Sequence, residues 1–440
     1  MRKTTLRLTR GAAGVMAAAS LTLGLIGCSE LLEQEAPSRV LETTLEGAAA
    51  AKLQVDGARA AFGCAFQAYV TGMGLIVDEL EDTQLAAAGW DWDRRSALAI
   101  GGNYATAVCD GTQQFGIYTP MQTARYTADL ALGNLKKFSD AEVVNRVALI
   151  ATAAAYSGYA HLLLGEGFCT MAIDGGAELQ PKDVFTLAEA KFTEAIAAAT
   201  TANNAALLNL ARVGRARTRL DLAKLPGQAV VNAKLTEARA DAEAVPAGFV
   251  SNIPYNPAAT YSRNMLFVRN TESVLYGVGP RYRGMTFSGV ADPRVRTRAS
   301  GRGQDQLTTN VWIAEKYTAQ SSPIALAKYQ EARLIMAEAD YHLVGPTAAV
   351  PYINALHAAV SLPAYEGTDP AEIMSTLIEE RARELFLEGQ RGYDFNRFNL
   401  PFNPPVGAQF QDATRNKGGT YGSVRCLPLP NVERDNNSNL

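Results

Sequence analysis

Histidine is almost absent from this chain: the 440 residues hold three, His161, His342 and His357. Each lies in a stretch of helical periodicity and none has HExxH spacing, so packing or surface roles are expected. There is no GxSxG elbow, no Walker loop and no GxGxxG; Gly72-Met73-Gly74 and Gly277-Val278-Gly279 lack a third glycine. No CxxC pair suggests zinc. Neither a catalytic signature nor a metal or cofactor is expected. An excess of basic residues is also missing, with 41 Lys+Arg against 44 Asp+Glu. Four of the basic residues (Arg2, Lys3, Arg7, Arg10) and no acidic ones fall within residues 1–27, so the remainder carries a formal net charge of −7. That excludes a basic nucleic-acid surface. After residue 27 no apolar run is expected to reach membrane length.

The first 27 residues read as an export signal, a basic start followed by the apolar stretch Gly11 to Ile26. It ends in Leu25-Ile26-Gly27-Cys28, which resembles a bacterial lipobox. The resemblance implies cleavage before Cys28 and a diacylglyceride on its sulfur; an ordinary secretory signal is the alternative. Each buried acyl CH₂ contributes about 0.8 kcal/mol, so several chains hold a protein firmly. Residues 28–44 form the tether. Its Glu30, Glu33 and Glu35 resemble the surface-export signal of Bacteroidetes lipoproteins, and equally suit a plain solvated tether.

Four cysteines remain: Cys64, Cys109, Cys169 and Cys426. They permit two disulfides in three connectivities, or free buried thiols. The expected pairing is Cys64–Cys109 and Cys169–Cys426.

Residues 45–245 read as Ala-rich helices, at 47–70, 113–137, 141–165, 184–200, 204–222 and 228–244. Stops are expected at Gly133-Asn134, Gly165 and Pro226-Gly227. Alternating small and large residues on one face, such as Ala151, Ala155, Tyr159 and Leu162, resemble tetratricopeptide repeats, although any helix pair would look alike. Residues 246–322 are loop-rich: Met265–Val268 and Ser273–Val278 read as strands about an Asn270-Thr271 turn, and Arg281–Arg302 as loop. Within 323–440, helices are expected at Ile324–Leu343, Val350–Val360 and Pro370–Glu388.

The most specific run is Thr376 to Phe398, TLIEERARELFLEGQRGYDFNRF. Ile378, Ala382, Leu385 and Phe386 form one apolar helical face. Glu379 precedes Arg383 by four residues, the favourable order for a helical ion pair. Gly389 offers a stop. Glu380, Arg381, Glu384, Glu388, Arg391, Asp394 and Arg397 are expected to pair and pin the tail as a structural clamp. The run resembles the C-terminal signature of the SusD-like (RagB/SusD) outer-membrane nutrient-uptake lipoproteins, E-R-R-x-E-L-x-x-E-G-x-R-x-x-D-L-x-R, with Phe395 for Leu and Gly392 where an aromatic is common. In family order, Asp292-Pro293-Arg294, the segment Lys328 to Ala339, Tyr352-Ile353-Asn354 and Leu427 to Glu433 resemble further motifs. Lys328, Gln330, His357 and Ala358 depart from them.

The resemblance implies a mostly α fold: a tetratricopeptide-like helical-repeat scaffold with an irregular loop-rich face. It implies a non-catalytic protein, lipid-anchored in the outer membrane and facing outward, that captures an oligosaccharide or peptide. The captured nutrient passes to a SusC-like TonB-dependent outer-membrane transporter, over which the protein acts as a lid. Ligand-contact candidates are Trp90, Asp91, Trp92, Asp93 and Arg94, aromatic faces interleaved with hydrogen-bonding charges, with Tyr282 and Arg283 from the irregular middle. The same tryptophans could instead anchor their loop or face a protein. The acidic cluster Asp78, Glu79, Glu81, Asp82 lacks EF-hand spacing and reads as a solvated helix end, with a cation site as the alternative. A glycan-degrading lipoprotein enzyme, which needs two carboxylates across a cleft, and a protein-only assembly scaffold are the rival functions.

Overall fold

The computed structural model describes residues 47–84, 90–99, 102–305, 310–411 and 417–440, the Trp90 side chain excepted. The export signal, Cys28 and the tether lie outside the described residues. Ala48–Leu440 forms one compact unit, mostly helical.

The longest helix, α1 (Ala51–Ile76), is buried almost all round from Phe62 onward. Its Ala and Gly positions let other helices approach closely, as a core helix requires. It packs on α2 (Tyr118–Leu135) and α3 (Arg146–Gly167), and α4 (Pro181–Thr201), α5 (Ala205–Ala223) and α6 (Asn232–Glu243) follow, each packed on the next. Start signals are local. Pro181 opens α4 behind a Gln180/Asp183 capping box, and the Asn204 side chain accepts the Leu207 N–H to open α5. Phe192 of α4 fills the space left by Gly158 and Gly214, where an added Cβ would come within 2.8 Å and 2.3 Å of its ring. Contrary to the sequence expectation, α3 is long and apolar enough to cross a membrane, but it is mostly buried inside the protein.

The C-terminal third adds α7 (Tyr329–Leu343), α8 (Val350–Ala359) and α9 (Pro370–Glu384). Asp369 caps α9 by accepting the Ala371 and Glu372 N–H groups, with Pro370 at its first turn. One strand follows α1 and seven lie between α6 and α7; among the described residues they pair only in twos, each pair antiparallel: β1 (Leu80–Asp82) with β3 (Tyr276–Val278), β2 (Val250–Ile253) with β8 (Ile324–Lys328), β4 (Thr286–Phe287) with β5 (Val290–Ala291), and β6 (Thr297–Gly301) with β7 (Val311–Ala314).

Several local expectations are corrected. Residues 265–272 are helical, running into a π turn over Val268–Glu272, because Asn264 caps the Phe267 N–H. β3 therefore pairs with distant β1 and not through a 270–271 turn. Residues 281–302 contain a small hairpin and a strand. Ile324–Lys328 is a strand because β2 offers it a partner; a five-residue apolar run is ambiguous by periodicity alone. Helix α9 ends at Glu384, before Gly389, which still takes φ 85°. Glu379 pairs with Arg281 and Arg383 with Asp292, so the expected pair within the helix does not form.

Two disulfides are present, Cys64–Cys109 and Cys169–Cys426. The second lies beside a parallel bridge between Phe168 and Leu427. It fastens the tail to the end of α3.

Candidate functional site

The clamp residues form a buried lattice of ion pairs. Arg397 donates to Glu338 at 2.5 Å and 2.9 Å and pairs with Asp394 at 2.8 Å; Arg381 reaches Asp394 at 2.8 Å. Glu388 takes Lys316 at 2.6 Å and Lys328 at 2.9 Å. Glu380 meets Arg294 and His357, each at 2.8 Å, and Glu384 meets Lys328 at 3.2 Å. Nearby arginines and lysines hold the Asp394 and Glu388 carboxyls below their usual range despite burial. Groups neutralised this way have no charge left for a substrate.

The acidic cluster is not solvated. After α1 the chain turns inward and carries its carboxylates to partners more than 190 residues away. Asp78 binds Arg391 at 2.7 Å and 2.9 Å, Glu81 pairs with Arg283, and Asp82 meets Lys417 at 2.7 Å. Glu79 accepts the Leu387 N–H, and burial pushes its carboxyl up to about 8.

The aromatic candidates are core anchors. Trp92 is 3% exposed, stacked on Phe115 with centroids 5.2 Å apart, and its ring occupies the space left by Gly72. Tyr282 is 0% exposed and stacks on Phe386. Neither ring has a face for a ligand, which corrects the expectation for both. Arg283 is spent on Glu81 and the Val278 carbonyl. The Trp90 side chain lies outside the described residues. Asp91 and Arg94 pair with each other at 2.7 Å beside a hollow of about 370 Å³ that Ser96, Leu98 and Thr420 also line.

Among the described ligand-contact candidates, Asp93 alone lines a cleft of about 970 Å³. One wall is the outer face of α9, with Ala371, Met374, Ser375 and Ile378; Leu400 and Pro401 close a second side. The floor is polar: Asp78, Glu81, Asp93, Arg391 and Gln411. Asp93 accepts the Asp82 N–H at 2.7 Å and Gln411 Nε2 at 3.2 Å, and burial pushes its carboxyl up to about 6. Arg95, also on this wall, donates to the Gly422 and Pro404 carbonyls at 3.1 Å and 2.7 Å. Its guanidinium lies between the Phe402 and Tyr421 rings. Volume, an apolar wall and convergent polar groups are those of a small-molecule site. Sequence reasoning missed Asp78, Arg95, Ile378 and Gln411 as neighbours because they lie up to 333 positions apart in the chain.

The sequence model of the SusD family matches residues 282–440. No curated protein matches the chain. Solved structures share the fold over nearly its whole length. A SusD-like carbohydrate binding protein from Bacteroides vulgatus is 15% identical, covers 90% of this chain and 97% of its own, and superposes with TM-score 0.64. A SusD-like protein from Bacteroides fragilis gives 13%, 91%, 98% and 0.65. Surface glycan-binding protein A from Bacteroides thetaiotaomicron, in complex with laminarihexaose, gives 14%, 88%, 97% and 0.62. Residues 282–440 thus carry the SusD family's sequence signature, and the helical fold of the solved SusD-like structures runs through nearly the whole chain.

Proposed function

We propose that the protein captures an oligosaccharide at the outer membrane without transforming it. It then passes the ligand to a SusC-like TonB-dependent transporter, closing over that barrel as a lid while lipid on Cys28 keeps it tethered. The observation that carries this reading is the 970 Å³ cleft, which pairs an apolar wall with hydrogen-bonding groups in a chain that carries this family's signature. The complex of a fold relative with laminarihexaose supports an oligosaccharide over a peptide. Two experiments test it. Calorimetric titration with a panel of oligosaccharides should show binding that Ser375→Trp, a bulky plug on the exposed face of α9, weakens by about tenfold or more. Affinity purification of the tagged protein from its native outer membrane should bring down a large β-barrel, and Cys28→Ala should release the protein from the membrane. Titrations without heat or binding from any oligosaccharide would sink the capture reading.

One observation favours hydrolysis as a second reading. Asp93 faces the cleft with its carboxyl pushed up to about 6, near the carboxylate Glu81, as an acid and its partner would be. Glu81 is tied to Arg283 and Asp93 to two donors, so both carboxylates are already engaged structurally. Release of reducing sugar by the purified protein, lost in Asp93→Asn, would establish this reading instead.

A further inference from the structure

The cleft is lined by charges that already answer one another. Arg391 holds Asp78 through two hydrogen bonds, at 2.9 Å and 2.7 Å. Arg281 bridges Glu379 and Asp78, the latter at 3.6 Å. Glu81 is paired with Arg283 just behind the wall. Among the described residues Arg95 has no carboxylate partner, but two carbonyls and two aromatic faces occupy its guanidinium. Asp93, 7% exposed, spends one oxygen on a backbone N–H and an amide. Among the described residues, an anionic ligand would meet four carboxylates (Asp78, Glu81, Asp93, Glu379) against three guanidiniums that are each engaged. An ammonium would have to break an existing pair or reach the recessed Asp93. In either case a charge leaves water without a full counter-charge, and that desolvation is costly. Hydroxyl groups face no such penalty. They can donate to the outer carboxylate oxygens and accept from the guanidiniums without separating them, while the apolar face of a sugar ring lies along Ala371, Met374 and Ile378.

We infer that the cleft selects an uncharged oligosaccharide and discriminates against uronate-, sulfate- and amine-bearing ones. This rests on the capture reading above and narrows its ligand class. The pairing of Arg281 with Glu379 is the outermost of the lining pairs, with both side chains about one-third exposed, so it is where the charge balance can be altered without disturbing the core.

The test is calorimetric titration of the purified protein with laminarihexaose and other neutral hexaoses, an oligogalacturonate and a chitosan oligomer. Each is repeated with Ser375→Trp and with Ala371→Phe, a second plug at an exposed position; circular dichroism confirms that both variants are folded. The expected result is a neutral binder weakened by both plugs, with affinity constant between about 50 and 500 mM salt. The charged oligosaccharides should bind at least about tenfold more weakly. Glu379→Gln, which leaves Arg281 only the longer contact with Asp78 at 3.6 Å, should shift the neutral-to-uronate affinity ratio toward the uronate by about tenfold. A charged oligosaccharide that binds more tightly than every neutral one, is weakened by salt and is blocked by the plugs would overturn the inference and leave capture standing. Binding that both plugs leave intact would place the ligand elsewhere and overturn the inference in the same way. No binding by any oligosaccharide would overturn the capture reading, and the inference with it.

Discussion

The carboxylate of Glu79 accepts the backbone N–H of Leu387 at 2.8 Å, joining residues 308 positions apart. Leu387 takes φ 55°, a left-handed conformation that a leucine rarely adopts, and its carbonyl accepts the Tyr317 hydroxyl at 2.9 Å. Lys316 meanwhile donates to the Phe386 carbonyl at 2.6 Å. A strained turn is held from both sides, by the buried Glu79 and Tyr317 and the partly exposed Lys316.

Burial raises the Glu79 carboxyl from an ordinary 4.5 to about 8. Its folded pKa exceeds its unfolded one, so unfolding between those values releases a proton. The stability it contributes is complete below pH 4.5, declines as pH rises through the interval, and is flat above 8. The ceiling is roughly 5 kcal/mol. Glu79→Gln keeps an acceptor for Leu387 and should remove this part of the slope. Thermal unfolding from pH 5 to 9 checks it; parallel curves for both proteins would refute the assignment.

Trp92→Ala should destabilise the fold by about 3–5 kcal/mol, because it empties the space between Phe115, Tyr104 and Gly72. Gly72→Ala should cost about 1–3 kcal/mol by overpacking, since its Cβ would lie 2.6 Å from the indole. Denaturant melts measure both. Loss of ligand affinity in a fully stable Trp92→Ala protein would contradict an anchoring role.

Arg397→Met leaves Glu338 buried without its cation and Asp394 with Arg381 alone, and should cost about 3–5 kcal/mol. Adding Glu338→Gln should restore part of that loss, because one orphaned charge is removed with its partner. A double variant no more stable than the single one would show that the pair is not coupled.

Reducing Cys169–Cys426 should cost about 2–5 kcal/mol, since its loop spans 257 residues. Limited proteolysis of Cys426→Ser should cut first in the tail after residue 400. An unchanged digestion pattern would mean that the Phe168–Leu427 bridge and the ion pairs hold the tail alone.

Helices could be read from the sequence wherever burial follows one face, as in α4 and α5, because that pattern is local. The C-terminal signature was legible for the same reason: its residues are consecutive. Asp78, Glu79, Glu81 and Asp82 were misread because four carboxylates in a row resemble a solvated end. What buries them (Arg283, Leu387, Arg391, Lys417) lies more than 190 positions away. Trp92 and Asp93 are adjacent in sequence yet face opposite ways, one into the core and one into the cleft. Only the positions of Phe115 and Gln411 decide which does which.

The tail has a consequence for how the molecule is made. Leu427 donates to the Gly167 carbonyl, Tyr104 to that of Pro428, and Asn431 to that of Ala99. Segments in the first half of the chain are therefore completed by residues that a ribosome adds far later. Such long-range closure makes folding slow. Until residues 427–431 arrive, the N-terminal half lacks part of its own boundary, so a chain interrupted anywhere before residue 427 is left open at the end of α3 and exposed to proteases.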